Sequence, residues 1–251
     1  CWVIGSNPIP ISKAIQMLNL WKDFCDKNDR DLSRKLQELY INVQGYSQNG
    51  QRRVNLPKEI DSELGYLIGF FQGDGHLKKF NKKGFQEYSI YFYEAYDEML
   101  NIINEIIYRK FGIRGNIYRQ ENETGKWLSL RLSSKPVYLF FKNILNLKSG
   151  KKVREVDVPT IIKKCKEEIQ LSFIRGFFDA EGGIGETSKN PWLSIGQASK
   201  EDACEILYWI HEKLLDNNIV LSKPSRSRKH EFFIIRCSKR ETIKRFFNLV
   251  S

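Results

Sequence analysis

The chain reads twice. From residue 61 onward, matched landmarks recur about 105 residues apart and in the same order: Asp74 with Glu181, Ser89 with Ser194, Ile113 with Ile219, and Lys135 with Lys239. One such match arises easily by chance, whereas four in register mark a two-copy repeat. Each copy opens with an apolar helical run that ends in glycines, SELGYLIGFFQGDG and then EEIQLSFIRGFFDAEGG. Alternating, aromatic-rich segments follow: HLKKF with EYSIYFY in the first copy, GGIGET with WLSIGQA in the second. A second helix comes next, DEMLNIINEIIYRKFG or KEDACEILYWIHEKLLDN. Two more strand-like segments (IRGNIYRQ and WLSLRLSS; IVLSKPSRS and EFFIIRCS) lead to a closing helix, KPVYLFFKNIL or RETIKRFFNLV. The order helix, two strands, helix, two strands, helix predicts an α/β (α+β) fold of two pseudo-symmetric repeats with antiparallel sheets. The expected divisions are an N-terminal helical extension over 1–60, a first repeat over 61–155 and a second over 156–251. In the extension, helical spacing is expected in ISKAIQMLNLWKDFCDKN and DLSRKLQELYINV, as a packing cap or a helix-turn-helix, with a polar loop over 45–53.

Both copies carry small residues four apart on the opening helix: Gly69 and Gly73, then Gly176 and Ala180. Glycine within a helix costs about 1 kcal/mol relative to alanine, so two in an otherwise apolar helix call for a packing reason. Small residues at i and i+4 share a face and admit a second backbone closely. The natural partner is the equivalent helix of the other copy. An acid follows each small pair, Asp74 and Glu181. Pairing the helices would bring both carboxylates together at helix C-termini, where the macrodipole already disfavours negative charge. Two anions so placed repel each other, and a divalent cation relieves them. Carboxylate with water and phosphate oxygen is the donor set Mg²⁺ prefers. The plainer alternative is that both acids merely solvate the helix ends.

Charge narrows the class of partner. Lys and Arg number 41 against 30 Asp and Glu, a formal charge of +11, which favours a polyanion. No apolar run approaches the roughly 18 residues needed to span a bilayer, and no membrane partner is expected. The five cysteines (Cys1, Cys25, Cys165, Cys204, Cys237) are dispersed without zinc-ligand spacing, as in a reduced intracellular protein of the cytoplasm, nucleoid or an organelle matrix. The three histidines do not cluster. Cys1 raises the reading of a self-splicing element, but that reading expects a closing His-Asn. The chain closes on NLVS, so a fragment boundary is the expectation.

LIGFFQGDG (67–75) and IRGFFDAEG (174–182) resemble the paired motifs of the LAGLIDADG homing endonucleases. The likeness extends from residue 61 to the end. It implies αββαββα halves related by a pseudo-dyad, with four-stranded sheets forming a saddle over double-stranded DNA. It also implies that Asp74 and Glu181, with the adjoining Gly73 and Ala180, hold catalytic Mg²⁺ beside the scissile phosphates. Mn²⁺ would substitute, and Ca²⁺ would bind without supporting cleavage. The implied reaction is hydrolysis of one phosphodiester in each strand, carried out by a monomer, since one chain supplies both halves. Gln197 and Lys200 are the candidate auxiliary catalytic residues. The family often has a basic residue near the start of each second helix, where this sequence has Ala95 and Ala198. That departure keeps a non-cleaving DNA-binding regulator or an RNA maturase as the alternative.

Strand-like segments that interleave basic and aromatic residues are candidates for the DNA surface. Lys78, Lys79, Arg119, Arg131, Arg226, Arg228 and Arg236 are expected to contact it. Lys244 and Arg245, on the closing helix, are expected to solvate the outer surface.

Overall fold

The computed structural model describes residues 44–46, 53–57, 59–82, 85–122, 125–148, 156–186, 190–199, 204–226 and 232–250. The helices expected before residue 44, and the sequence candidates Lys200 and Arg228, lie outside the described residues. The polar loop expected over 45–53 is corrected in part: β1 (Gln44–Tyr46) pairs antiparallel with β2 (Arg53–Asn55), Gly45 opposite Val54. Three-residue strands offer no alternation to read. Among the described side chains of this pair, Val54 is fully buried and Asn55 exposed.

The chain forms two compact units, one built from residues up to Ile60 with His76–Gly150, the other from Asp61–Gly75 with Lys151–Ser251. The first unit contains β3 (Gly75–Lys82), β4 (Phe85–Glu94) and α2 (Asp97–Phe111), then β5 (Asn116–Asn122), β6 (Gly125–Ser133) and α3 (Lys135–Leu139). A π-helical turn, Phe140–Ile144, continues α3. The sheet order is β3-β4-β6-β5. Helix α2 stops at Gly112, whose φ of 70° is the left-handed conformation that favours glycine; its N–H donates to the Tyr108 carbonyl at 2.8 Å.

The second unit holds α1 (Ser62–Asp74), α4 (Thr160–Lys163), α5 (Glu167–Glu181), β7 (Gly182–Glu186) and β8 (Pro191–Ala198). It is completed by α6 (Glu205–Asp216), β9 (Ser225–Arg226), β10 (Phe232–Cys237) and α7 (Arg240–Val250). Its sheet runs β7-β8-β10-β9, the same order as in the first unit. The fold is therefore mixed α/β, with two antiparallel four-stranded sheets and seven α-helices among the described residues. No described helix is long and apolar enough to cross a membrane.

Among the described residues, the strand expected across IVLSKPSRS is confined to Ser225–Arg226. Pro224 supplies no N–H to a ladder. Ser222 instead donates its N–H to the Arg236 carbonyl at 2.8 Å, and its Oγ accepts from the Arg236 N–H at 3.1 Å. Helix α1 belongs to the first repeat in sequence and to the second unit in space. Asp61 caps its N-terminus, its carboxylate accepting from the Leu64 N–H at 3.0 Å. Buried Gln72 ties α1 to the incoming chain by donating to the Asp157 carbonyl at 2.5 Å.

Candidate metal centre and nucleic-acid interface

Helices α1 and α5 cross backbone to backbone. A Cβ added at Gly69 would lie 2.0 Å from the Phe173 carbonyl oxygen, and one at Gly176 would lie 2.0 Å from that of Tyr66. Each would also come within 2.9 Å of a second backbone nitrogen, Phe177 for Gly69 and Phe70 for Gly176. Tyr66 and Phe173, Gly69 and Gly176, and Phe70 and Phe177 are all one offset of 107 residues apart in the sequence. Each helix thus presents the same patch to the other, which is the signature of a self-complementary twofold contact. The glycines that end the helices obey the same offset. A Cβ at Gly75 would strike the Phe71 ring at 2.2 Å, and one at Gly182 the Phe178 ring at 2.3 Å.

The seam delivers the acids to one place. A Cβ at Gly73 would meet the Ala180 Cβ at 2.5 Å and the Glu181 Cγ at 2.9 Å. Asp74 and Glu181 are the last residues of their helices, both partly exposed. Two carboxylates therefore stand at adjoining C-terminal ends, where the helix dipoles add to their mutual repulsion. Among the described residues no three His, Cys, Asp or Glu side chains cluster. The protein's side-chain donors here are therefore two carboxylates. Gly73 and Ala180 carry no side-chain donor and have backbone carbonyls alone to offer. An oxygen-only set that leaves most positions to water and phosphate fits Mg²⁺ better than a softer metal.

Gln197 lies on β8 two residues beyond Ile195, the ladder partner of Gly182, and opposite the buried Phe233 of β10. It is buried, and its Oε1 has no hydrogen-bond partner; its Nε2 reaches the Ala198 carbonyl only at 3.5 Å. A buried carbonyl oxygen in that state calls for an ordered water or an ion. The Cys204 thiol, at the N-terminus of α6, belongs to the same neighbourhood. Burial pushes its pKa up to about 11, and the charges of Glu205 and Glu181 add to the rise. At pH 8 only about a thousandth of such a thiol is ionised. Cys204 is therefore expected to resist iodoacetamide in the folded protein and to react on unfolding. Peptide mapping after alkylation in buffer and in denaturant checks this, and fast modification of the native protein would contradict the burial.

Strand parity sorts the basic candidates. In the first unit Ile90, Phe92, Leu130 and Leu132 form the helix-bearing face, all buried. The opposite, open face carries Ser89, Tyr91, Tyr93, Ser129, Arg131 and Ser133, with Tyr91 opposite Arg131. Lys78 joins that face, its ammonium 5.3 Å from the Phe80 ring centroid. Lys79 does not: it lies over Tyr88, on the helix-bearing side, as does Lys135. Arg119 pairs with Leu128 in the ladder and so also falls on the helix-bearing side, where it binds Asp97 at 3.1 Å. In the second unit Arg236 is opposite Ser194 on the open face, whereas Arg226 is opposite the buried Phe233. Lys78, Arg131 and Arg236 are thus presented on open faces, and Lys79, Arg119 and Arg226 are not. On α7, Lys244 and Arg245 are exposed, and Arg245 pairs with Glu241 at 3.8 Å.

Aromatic rings cover both open faces. Tyr91 and Tyr93 stack with centroids 6.0 Å apart, and burial raises the pKa of both phenols. In the second unit the Trp192 ring lies over Gly185 and the Phe232 ring over Gly196, each filling the place of a side chain. The sequence reading passed over Glu87, which contacts Arg131. The alternation Glu87, Ser89, Tyr91, Tyr93 in β4 was the available signal.

Fold and site together define an α/β protein with two four-stranded antiparallel sheets, whose glycine-crossed helices end in paired carboxylates. Residues 61–145 match the family model described as a LAGLIDADG-like domain. I-DmoI in complex with DNA and Mn superposes with a TM-score of 0.54 at 22% identity, covering 77% of this chain and 98% of that one. Full-length DUF199/WhiA from Thermatoga maritima gives 0.51 at 14% identity, covering 88% and 62%. Residues 61–145 are thus similar to the LAGLIDADG family, and the described fold is shared with these solved structures. Among curated relatives, it is 28% identical over 179 residues to a glutamine–fructose-6-phosphate aminotransferase of Methanocaldococcus jannaschii, covering 71% of this chain. It is 24% identical over 127 residues to a DNA polymerase of Thermococcus kodakarensis. The match spans only 15% and 7% of those proteins' lengths.

Proposed function

We propose that the chain is a site-specific double-stranded DNA endonuclease that hydrolyses one phosphodiester in each strand with Mg²⁺. The observation that carries this reading is the reciprocal glycine crossing, which sets Asp74 and Glu181 at the same end of one helix pair. Structures of the fold neighbour I-DmoI with DNA and with Mn, Ca or Mg support the choice of partner and of a divalent cation. Asp74 and Glu181 would hold the metal, with Gly73 and Ala180 offering backbone carbonyls. When bound, Mg²⁺ activates a water and stabilises charge on the leaving oxygen. Asp74 and Glu181, at the ends of their helices, would orient a water toward a phosphate there. Lys78, Arg131 and Arg236 meet the duplex from the open faces. One chain supplies both acids, so the active species is a monomer.

The alternative is a LAGLIDADG-derived DNA-binding regulator or RNA maturase without cleavage. It is favoured by alanine at 95 and 198, since Ala95 is exposed and offers a phosphate only its backbone, whose N–H already donates to the Glu94 carboxylate at 2.6 Å. The deciding experiment challenges a randomised duplex library with the wild type and with Asp74→Asn/Glu181→Gln, in Mg²⁺ and in Ca²⁺. Enriched double-strand breaks that need Mg²⁺ and both acids support the enzyme. Specific retention of uncut duplex by both proteins supports the regulator. Affinity is expected to fall at least tenfold between 50 and 200 mM salt, on the order set by releasing a few counterions. A flat response in a filter-binding titration would count against contact with phosphates.

A further inference from the structure

The open face of the first unit carries one polar cluster among its aromatic rings. The Arg131 Nη2 forms an ion pair with Glu87 Oε1, and its Nε donates to Ser89 Oγ at 3.3 Å. Rings flank the guanidinium, Phe80 with its centroid at 5.7 Å and Tyr91 at 5.8 Å. Ser133 donates to the same Glu87 oxygen at 3.4 Å, and Ser89 approaches it at 3.5 Å. Both charged side chains remain partly accessible, 25% exposed for Arg131 and 22% for Glu87.

A surface arginine ordinarily loses rotamer freedom on binding, which subtracts from affinity. Arg131 has already lost it to two rings, a carboxylate and a hydroxyl. Two of its five N–H groups are engaged, leaving three, including a pair across the two terminal nitrogens. Glu87 receives every one of these contacts on Oε1, so its Oε2 remains an acceptor beside those donors. Two donors flanked by an acceptor complement one base pair in the major groove. A G·C pair shows N7 and O6 as acceptors and then the cytosine N4 amino group as a donor. An A·T pair shows acceptor, donor, acceptor, and so mismatches at its second position. A phosphate would accept from the guanidinium but would be repelled by the adjoining carboxylate.

We infer that Arg131 and Glu87 act together as a pre-oriented reader of a single G·C base pair, Arg131 donating to guanine and Glu87 accepting from cytosine. The assignment rests on the double-stranded DNA reading above and makes this pair a specificity determinant of that contact.

The test selects bound duplexes from a randomised pool with the wild type, Arg131→Gln, Arg131→Lys and Glu87→Gln. The wild-type consensus is expected to contain a G·C position whose replacement costs roughly ten- to a hundredfold in affinity, the range of one bidentate contact. Arg131→Gln is expected to move that position toward adenine, which glutamine pairs bidentately. Arg131→Lys and Glu87→Gln are expected to relax it and leave the other positions unchanged. The near-isosteric Glu87→Gln guards against misfolding of the arginine variants. An unchanged consensus in all variants, or equal loss at every position, would overturn the assignment while leaving DNA binding intact. Failure of the wild type to enrich any duplex would instead overturn the DNA reading, and this assignment with it.

Discussion

Alanine at Gly69 or Gly176 is expected to destabilise the protein by at least ~3 kcal/mol, at the upper end for overpacking, because backbone rather than a movable side chain blocks the added methyl. The new Cβ would stand 2.0 Å from a carbonyl oxygen, so the helices must separate. Separation would also loosen Phe70, Phe71, Phe173 and Phe177, all fully buried. For a chain of this size the melting temperature should fall by roughly 6–12 °C. Alanine at Glu212, exposed on α6, offers a control: there the change should be within about 0.5 kcal/mol. Urea denaturation of the three variants checks the ranking. Wild-type stability in Gly69→Ala would mean that α1 and α5 do not cross as closely as they do here.

The second large effect separates metal binding from catalysis. A cation that binds the native carboxylate pair and not the unfolded chain stabilises by about 2.7 kcal/mol at a hundred times its dissociation constant. Mg²⁺ or Ca²⁺ should therefore raise the melting temperature of the wild type by about 5–10 °C. Asp74→Asn/Glu181→Gln should lose that response, because two neutral amides remove the charges that hold a hard cation. Cleavage should fall in the same variant by on the order of 10³ or more, since metal activation of water lowers the barrier by several kcal/mol. The thermal shift needs no substrate and no turnover. It tests the metal site even if the chain never cuts DNA, and a shift that persists in the double variant would place the cation elsewhere.

Much of the fold was legible because repeats and periodicities are local. Four landmarks in order at one spacing announced two copies, and both copies have the same sheet order. The small pairs at 69, 73, 176 and 180 announced a close helix contact before any coordinates. The paired strands β1 and β2 were not legible, since three-residue strands are too short to show an alternation. Glu87 was passed over because an acid on a basic surface looks like ordinary solvation until its partner is seen.

The two copies, the acid behind each small pair and the order of elements can all be read along the chain. All three depend on residue type and on separation along the chain, which survive without three-dimensional placement. Tertiary structure alone decided which basic residues face outward. Lys78 and Lys79 are neighbours with the same chemistry, yet one lies over Phe80 on the open face and the other over Tyr88 on the helix-bearing side. Arg119 and Arg131 sit on adjacent paired strands, yet they too fall on opposite faces. Side chains alternate with a period of two, so a one-residue change of register exchanges the faces. Register is settled by pairing between distant strands, and that information is not contained in any one segment.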